Sequence, residues 1–210
     1  MNGVIITCNA GSTNTKLSTF DNETLKPTGK ATTRSVEETK QWFCTQNEMA
    51  VVAVGHRVVH GGRDFNQPEI ITDDVIEKLK YYIPMAPLHQ PAAIFLIEEC
   101  RRLYPDVPHI ACFDTAFHHT MPEGARRLPL PRKFHDEGIM RYGFHGLSYQ
   151  HIANVLTEHA GSKADGRVIV AHLGGGASAC AMKNRQSVAS TMGFSTLDGL
   201  MMDIRQASSS

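Results

Sequence analysis

The chain has 210 residues, 41% of them apolar and 20% charged, and its 21 Lys+Arg balance 21 Asp+Glu at zero formal net charge. That length suffices for one large or two small domains with their own cores, so folding needs no disulfide or structural metal. The even charge excludes the broad basicity of a general nucleic-acid binder, and no apolar run reaches the roughly 20 residues that cross a bilayer.

Val4 to Cys8 is a short β-branched run that stops at Asn9-Ala10-Gly11-Ser12-Thr13-Asn14, and Thr15 to Phe20 then alternates polar with apolar. The pattern predicts two antiparallel strands joined by a polar turn. Ala50 to Val54, His109 to Phe113 and Arg167 to His172 are further buried-strand candidates. Thr72-Asp73-Asp74 reads as a helix cap, Gln90-Pro91 opens a helix running to Tyr104, and Ser148 to Ala160 forms a third, stopped by Gly161. Interleaved strands and helices indicate an α/β architecture. Leu128-Pro129-Leu130-Pro131 reads as a connection, with two α/β domains over 1–116 and 117–210.

Five cysteines (Cys8, Cys44, Cys100, Cys112, Cys180) are scattered without a C-x-x-C pair. This fits reduced thiols in the cytoplasm better than disulfides or zinc, with Cys8 a small core residue. Asn2 and Gly3 ahead of a short strand are unlike a signal peptide, and neither a membrane nor a nucleic-acid partner is expected.

Asn9, Gly11, Ser12, Asn14 and Lys16 place amides, a bare glycine backbone and one cation on a single turn, either a phosphate wrap or a plain hairpin. His172-Leu173-Gly174-Gly175-Gly176 ends another strand with three glycines, either backbone amides for an anion or a tight structural loop. Gly55-His56-Arg57-Val58-Val59-His60-Gly61-Gly62 follows a buried strand; its arginine suits a carboxylate or phosphate gripped at two points, or a structural ion pair. Asp114, beside His118 and His119, is a base, a cation-holding carboxylate or a helix cap. His89 and His145 sit in short turns, where a lone histidine is often structural, and Arg205 has no partner in sequence. Together these cations, one carboxylate and two glycine loops are the parts needed for phosphoryl transfer.

Ile6 to Lys16, Gly55 to Gly62, Ala86 to His89, Phe113 to His118, Arg141 to Gly146 and Ser190 to Phe194 resemble the motifs of the acetate kinase family, in the family's order. The resemblance implies the acetate and sugar kinase, Hsp70 and actin (ribonuclease H-like) fold. It also implies reversible phosphoryl transfer from ATP to acetate with Mg2+, giving acetyl phosphate and ADP. By motif position Asn9 would lie at the magnesium, and Lys16 with His172, Leu173, Gly174, Gly175 and Gly176 at ATP. Arg57 would meet the carboxylate, with Val59, Leu88 and Phe144 walling the methyl pocket. Asp114, His145, Arg205 and His89 would carry the catalytic roles.

The chain departs from the family pattern in three places. Gly175 stands where Asn is usual, Thr196 replaces a proline of the methyl pocket, and Arg205 lacks its flanking Gly-Thr. The family has about 400 residues in two domains and is homodimeric, so a second domain that is incomplete, exposed apolar strand edges, and weak or no kinase activity are expected. Propionate or butyrate kinase, or an inactive binding protein, are the alternatives.

Overall fold

The computed structural model describes residues 3–11, 14–46 and 49–202. In chain order the elements are β1 (Val4–Ala10), β2 (Thr15–Asp21), β3 (Pro27–Thr33), α1 (Val36–Thr45), β4 (Val51–Val58), β5 (Glu69–Ile70), α2 (Asp73–Tyr81), α3 (Gln90–Leu103) and β6 (His109–Phe113). There follow α4 (Glu123–Arg126), α5 (Arg132–Asp136), α6 (Gly146–Ala160), β7 (Arg167–Leu173), β8 (Ala177–Lys183) and β9 (Gln186–Ser190). Contacts divide the chain into two compact units, Met1–Val58 with Pro68–Cys112, and Val59–Gln67 with Phe113–Ser210. This division differs from a single break after 116. The segment 59–67 joins the second unit because Gly61 N–H donates to Thr115 Oγ1 at 3.0 Å and Phe65 stacks on Phe113 at 4.7 Å.

The first unit is built on one sheet in the order β3-β2-β1-β4-β6-β5. β1 runs antiparallel to β2, as the alternation after the polar turn predicts, and parallel to β4. Alternate residues of β1 and β4 (Val4, Ile6, Cys8; Val54, His56, Val58) turn inward, the period of two that a half-buried strand requires. Ile6, Cys8, Leu17 and Val54 meet Phe43 of α1 and Ala93, Leu96 and Cys100 of α3. Each large side chain so buried contributes about 1.5–3 kcal/mol. Asn9 and Arg57 therefore point from the opposite face of the sheet.

In the second unit α6 and a 3-10 turn at Ala116–Thr120 pack on an antiparallel sheet β7-β8-β9, around Phe117, Tyr149, Ala153, Cys180 and Met182. β7 is an edge strand with Ile169 and Leu173 exposed. No helix among the described residues is long and apolar enough to cross a membrane.

Three elements differ from expectation. β4 continues through Gly55-His56-Arg57-Val58 rather than stopping at Val54, because pairing with β1 extends to Asn9 opposite Arg57. Arg57 is thus a strand residue, not a loop residue. α6 begins two residues early, at Gly146, directly after His145 in the left-handed region (φ 59). α1 has no counterpart among the expected helices; its start is capped, with Ser35 Oγ accepting from Glu38 N–H at 3.1 Å and Glu38 Oε2 accepting from Arg34 N–H at 2.7 Å.

Candidate active site

The candidate residues fall into one cluster in each unit. In the first, Asn9 on β1 is the register partner of both Lys16 on β2 and Arg57 on β4. Residues directly opposite in a ladder share a face, so these three form one row across three strands. Arg57 Nη1 donates to Asn9 Oδ1 at 2.9 Å. Asn9 and Arg57 are half-buried and Lys16 is exposed. The row presents a guanidinium and an ammonium on either side of the Asn9 carboxamide, cations that can attract an anion through hydrogen bonds and charge. At its end Gly11 N–H donates to Asn14 O at 2.8 Å, and a Cβ on Gly11 would lie 2.9 Å from that oxygen, so the turn needs glycine. Ser12 and Arg205 lie outside the described residues. Leu88 and His89 occupy the turn before α3, and Leu88 is 63% exposed, so it walls nothing within its own unit.

In the second unit Asp114 follows β6 and is 1% exposed. Its carbonyl accepts from Gly146 N–H at 2.8 Å, and any Cβ at Gly146 would overlap that oxygen. α6 therefore starts against Asp114, with His145 immediately before it. A histidine at φ 59 stores about 1 kcal/mol or more of strain, held by its surroundings. Those surroundings are explicit: His145 Nδ1 lies 2.8 Å from Ser178 Oγ, which also bonds Tyr149 OH at 2.5 Å. The His145 ring stacks on His172 at 4.2 Å, and His172 Nδ1 lies 2.9 Å from Ser148 Oγ. A Cβ on Gly176 would come within 3.1 Å of His145 Nε2. The fold thus brings Asp114, His145, His172 and the Gly174–Gly176 turn together.

Val59 and Phe144 are interior residues of this unit. His118, beside Asp114 in sequence, is structural: its Nε2–H donates to the Phe144 carbonyl at 2.9 Å, and Nδ1 is left to accept from Ser187 Oγ at 2.8 Å. Burial lowers its pKa. A separate cavity of about 310 Å³ in this unit, lined by Arg63, Arg126, His135 and Tyr142 among others, contains none of the candidate residues. Its Arg63 already donates to the carbonyls of His135 and Asp136.

Sequence reasoning missed Ser178, Tyr149 and Ser148. Tyr149 stands four residues after His145, one helical turn on. Ser178 is the register partner of His172 across the glycine turn, a pairing implied by a hairpin centred on Gly175.

A family model described as the acetokinase family matches residues 4–208. The chain belongs to the acetokinase family. It is 55% identical over 159 residues to an acetate kinase of Rhodopseudomonas palustris, covering 75% of this chain and 40% of that protein. It is 45% identical over 166 residues to an acetate kinase of Rickettsia typhi, covering 79% and 43%. Among solved structures it is similar to a propionate kinase from Francisella tularensis (TM-score 0.85, 33% identity, 95% of this chain and 60% of that one). An acetate kinase of Porphyromonas gingivalis gives a TM-score of 0.82 at 29% identity, with the same coverage. These likenesses establish the acetate and sugar kinase, Hsp70 and actin fold. The chain spans about two fifths of the length of the curated acetokinases it matches.

Acetokinase membership implies a magnesium ion. Mg2+ takes six oxygens, usually from one or two carboxylates, substrate phosphates and water. Asn9 offers one neutral oxygen that already accepts from the Arg57 guanidinium. Among the described residues the one group of three potential metal-holding His, Cys, Asp or Glu side chains is thiol and imidazole, Cys8, His56 and Cys100. Among the described residues no group of three carboxylates stands ready to hold the ion.

Proposed function

We propose that this chain carries substrate-binding and charge-stabilising residues of an ATP-dependent carboxylate kinase that makes acetyl phosphate and ADP from ATP and acetate, reversibly. The observation that carries the reading is the Lys16–Asn9–Arg57 row, two cations and an amide on one sheet face, in a chain of the acetokinase family. An acetate oxygen attacks the γ-phosphorus while the bond to the ADP oxygen breaks. Little covalent chemistry falls to the protein; its task is to neutralise charge and fix positions.

Arg57 holds the acetate carboxylate, since its planar fork matches two oxygens and Asn9 fixes its orientation. Lys16 and the backbone amides of the His172–Gly176 turn hold ATP phosphates. His145, whose ring is oriented by Ser178 at Nδ1, stabilises charge on the transferring phosphoryl. Asp114 serves the reaction centre, with His89 and Arg205 assisting, and Val59, Leu88 and Phe144 face the methyl group. ATP arrives with its own magnesium, the protein acts in the cytoplasm, and full-length members of the family are homodimers.

The test is to incubate the chain with ATP, magnesium and acetate and to trap acyl phosphate with hydroxylamine. Acetohydroxamate that depends on both substrates supports the reading; none at any protein concentration supports an inactive binding protein. The similarity to a propionate kinase structure favours including propionate as a second acceptor. Acetate preferred over propionate is expected, because the curated relatives at 45–55% identity are acetate kinases.

A further inference from the structure

We infer that Cys8, His56 and Cys100 form a binding site for one zinc ion in the core of the first unit. The three come from β1, β4 and α3, and the two cysteines are 92 residues apart in sequence, which is why the absence of a C-x-x-C pair pointed away from zinc. One ligand atom from each lies within 4.8 Å of the others, and all three residues are buried.

The hydrogen bonds of the neighbouring histidines decide which nitrogen can bind. The Tyr104 carbonyl can only accept, so His109 Nε2 carries a proton and donates to it at 3.0 Å. His109 Nδ1 is then bare and accepts from His56 Nε2–H at 3.1 Å. His56 Nδ1 is left with a lone pair, and it is a buried atom without a hydrogen-bond partner. Leaving such a group unsatisfied in the core is costly, and a bound cation would satisfy it. The chain from His56 through His109 to the Tyr104 carbonyl is also the kind of backing that metal-bound imidazoles have, fixing tautomer and ring orientation.

The sulfurs suit the same ion. Cys8 Sγ and Cys100 Sγ are 3.9 Å apart. Two Zn–S bonds of about 2.3 Å would subtend roughly 116° across that gap, close to the tetrahedral and trigonal angles. Binding converts two thiols and Zn2+ into a neutral bis-thiolate and releases two protons to solvent, so no net charge is buried. The donors are soft, which selects zinc over magnesium or calcium. Cys8 and His56 are register partners one residue before Asn9 and Arg57, so the ion would tie β1, β4 and α3 together beneath the cationic row.

The test uses the full chain, reduced, freed of reductant and chelator under nitrogen, and titrated with Co2+ and then Zn2+. One equivalent of Co2+ is expected to give a thiolate-to-cobalt charge-transfer band with the intensity of two thiolates. One equivalent of Zn2+ should abolish it, with about two protons released per chain at neutral pH. The Cys44→Ser/Cys112→Ser/Cys180→Ser variant should keep the band and Cys100→Ala should lose it. His109→Gln should weaken zinc about 10- to 100-fold. No band in the wild-type chain, or a band that survives Cys100→Ala, would overturn the site. Should Cys100→Ala fail to fold, loss of the band in a folded triple variant that keeps only Cys8 and Cys100 would overturn it equally.

Discussion

Arg57 and Asn9 are register partners on parallel strands, and the guanidinium donates to the Asn9 carboxamide oxygen at 2.9 Å. A neutral acceptor orients the arginine without cancelling its charge, so the guanidinium keeps its attraction for an anion. Asn9→Asp should therefore harm anion binding more than Asn9→Ala, because a carboxylate would pair with Arg57. Calorimetric titration with acetate checks this: equal or weaker harm from the aspartate would contradict the assigned role of Asn9.

Ser178 serves two partners, His145 and Tyr149. Ser178→Ala should cost about 1–3 kcal/mol, since it strands the buried end of the Tyr149 hydroxyl network. Tyr149→Phe in the same background should cost less than it does alone, with a coupling of about 0.5–3 kcal/mol. Urea denaturation of the two single variants and the double variant reads this out, and strictly additive costs would show that the hydroxyls do not interact.

Two glycines separate packing from loop chemistry. Gly146→Ala would drive a methyl group into the Asp114 carbonyl and should destabilise the chain by about 1–3 kcal/mol or more. A Cβ at Gly175 meets nothing within 4 Å, so Gly175→Ala should stay within about 0.5 kcal/mol. Melting temperatures of the pair check the contrast, which the reverse order would refute.

Burial lowers the pKa of His56 to about 3 and of His60 to about 4, from an ordinary 6.5; beside burial, the neighbouring His109 also lowers that of His56. Both are neutral when folded and take up protons on unfolding below pH 6.5. The unfolded state then binds more protons, so their contribution is complete above pH 6.5 and is lost as pH falls from there toward 4. Each can contribute a slope of up to about 1.4 kcal/mol per pH unit in that window. Unfolding free energies measured from pH 7.5 to 5 should fall accordingly; a flat profile would mean the rings are solvated.

The polar turn after Cys8 and the alternation beyond it made the β1–β2 hairpin readable, because both are local signals. The place of Arg57 was not, since the ladder that carries β4 past Gly55 depends on β1, over forty positions earlier in the chain. Likewise the glycines of the Gly174–Gly176 turn announced a tight loop after a strand. That His145 would stack on His172 depends on α6 beginning at a left-handed histidine against Asp114, a tertiary arrangement with no local mark. Cys8 was readable as a core residue, whereas its approach to Cys100 and His56 comes from the packing of α3 on the sheet.

The most direct measurement compares equilibrium binding of acetate and of ATP to the wild-type chain and to Arg57→Ala. Losing charge-assisted hydrogen bonds to a carboxylate should weaken acetate about 10- to 100-fold, while ATP affinity changes by no more than about twofold. Equal weakening of both ligands, or unchanged acetate binding, would contradict the assignment of Arg57 to the carboxylate and with it the proposed reaction.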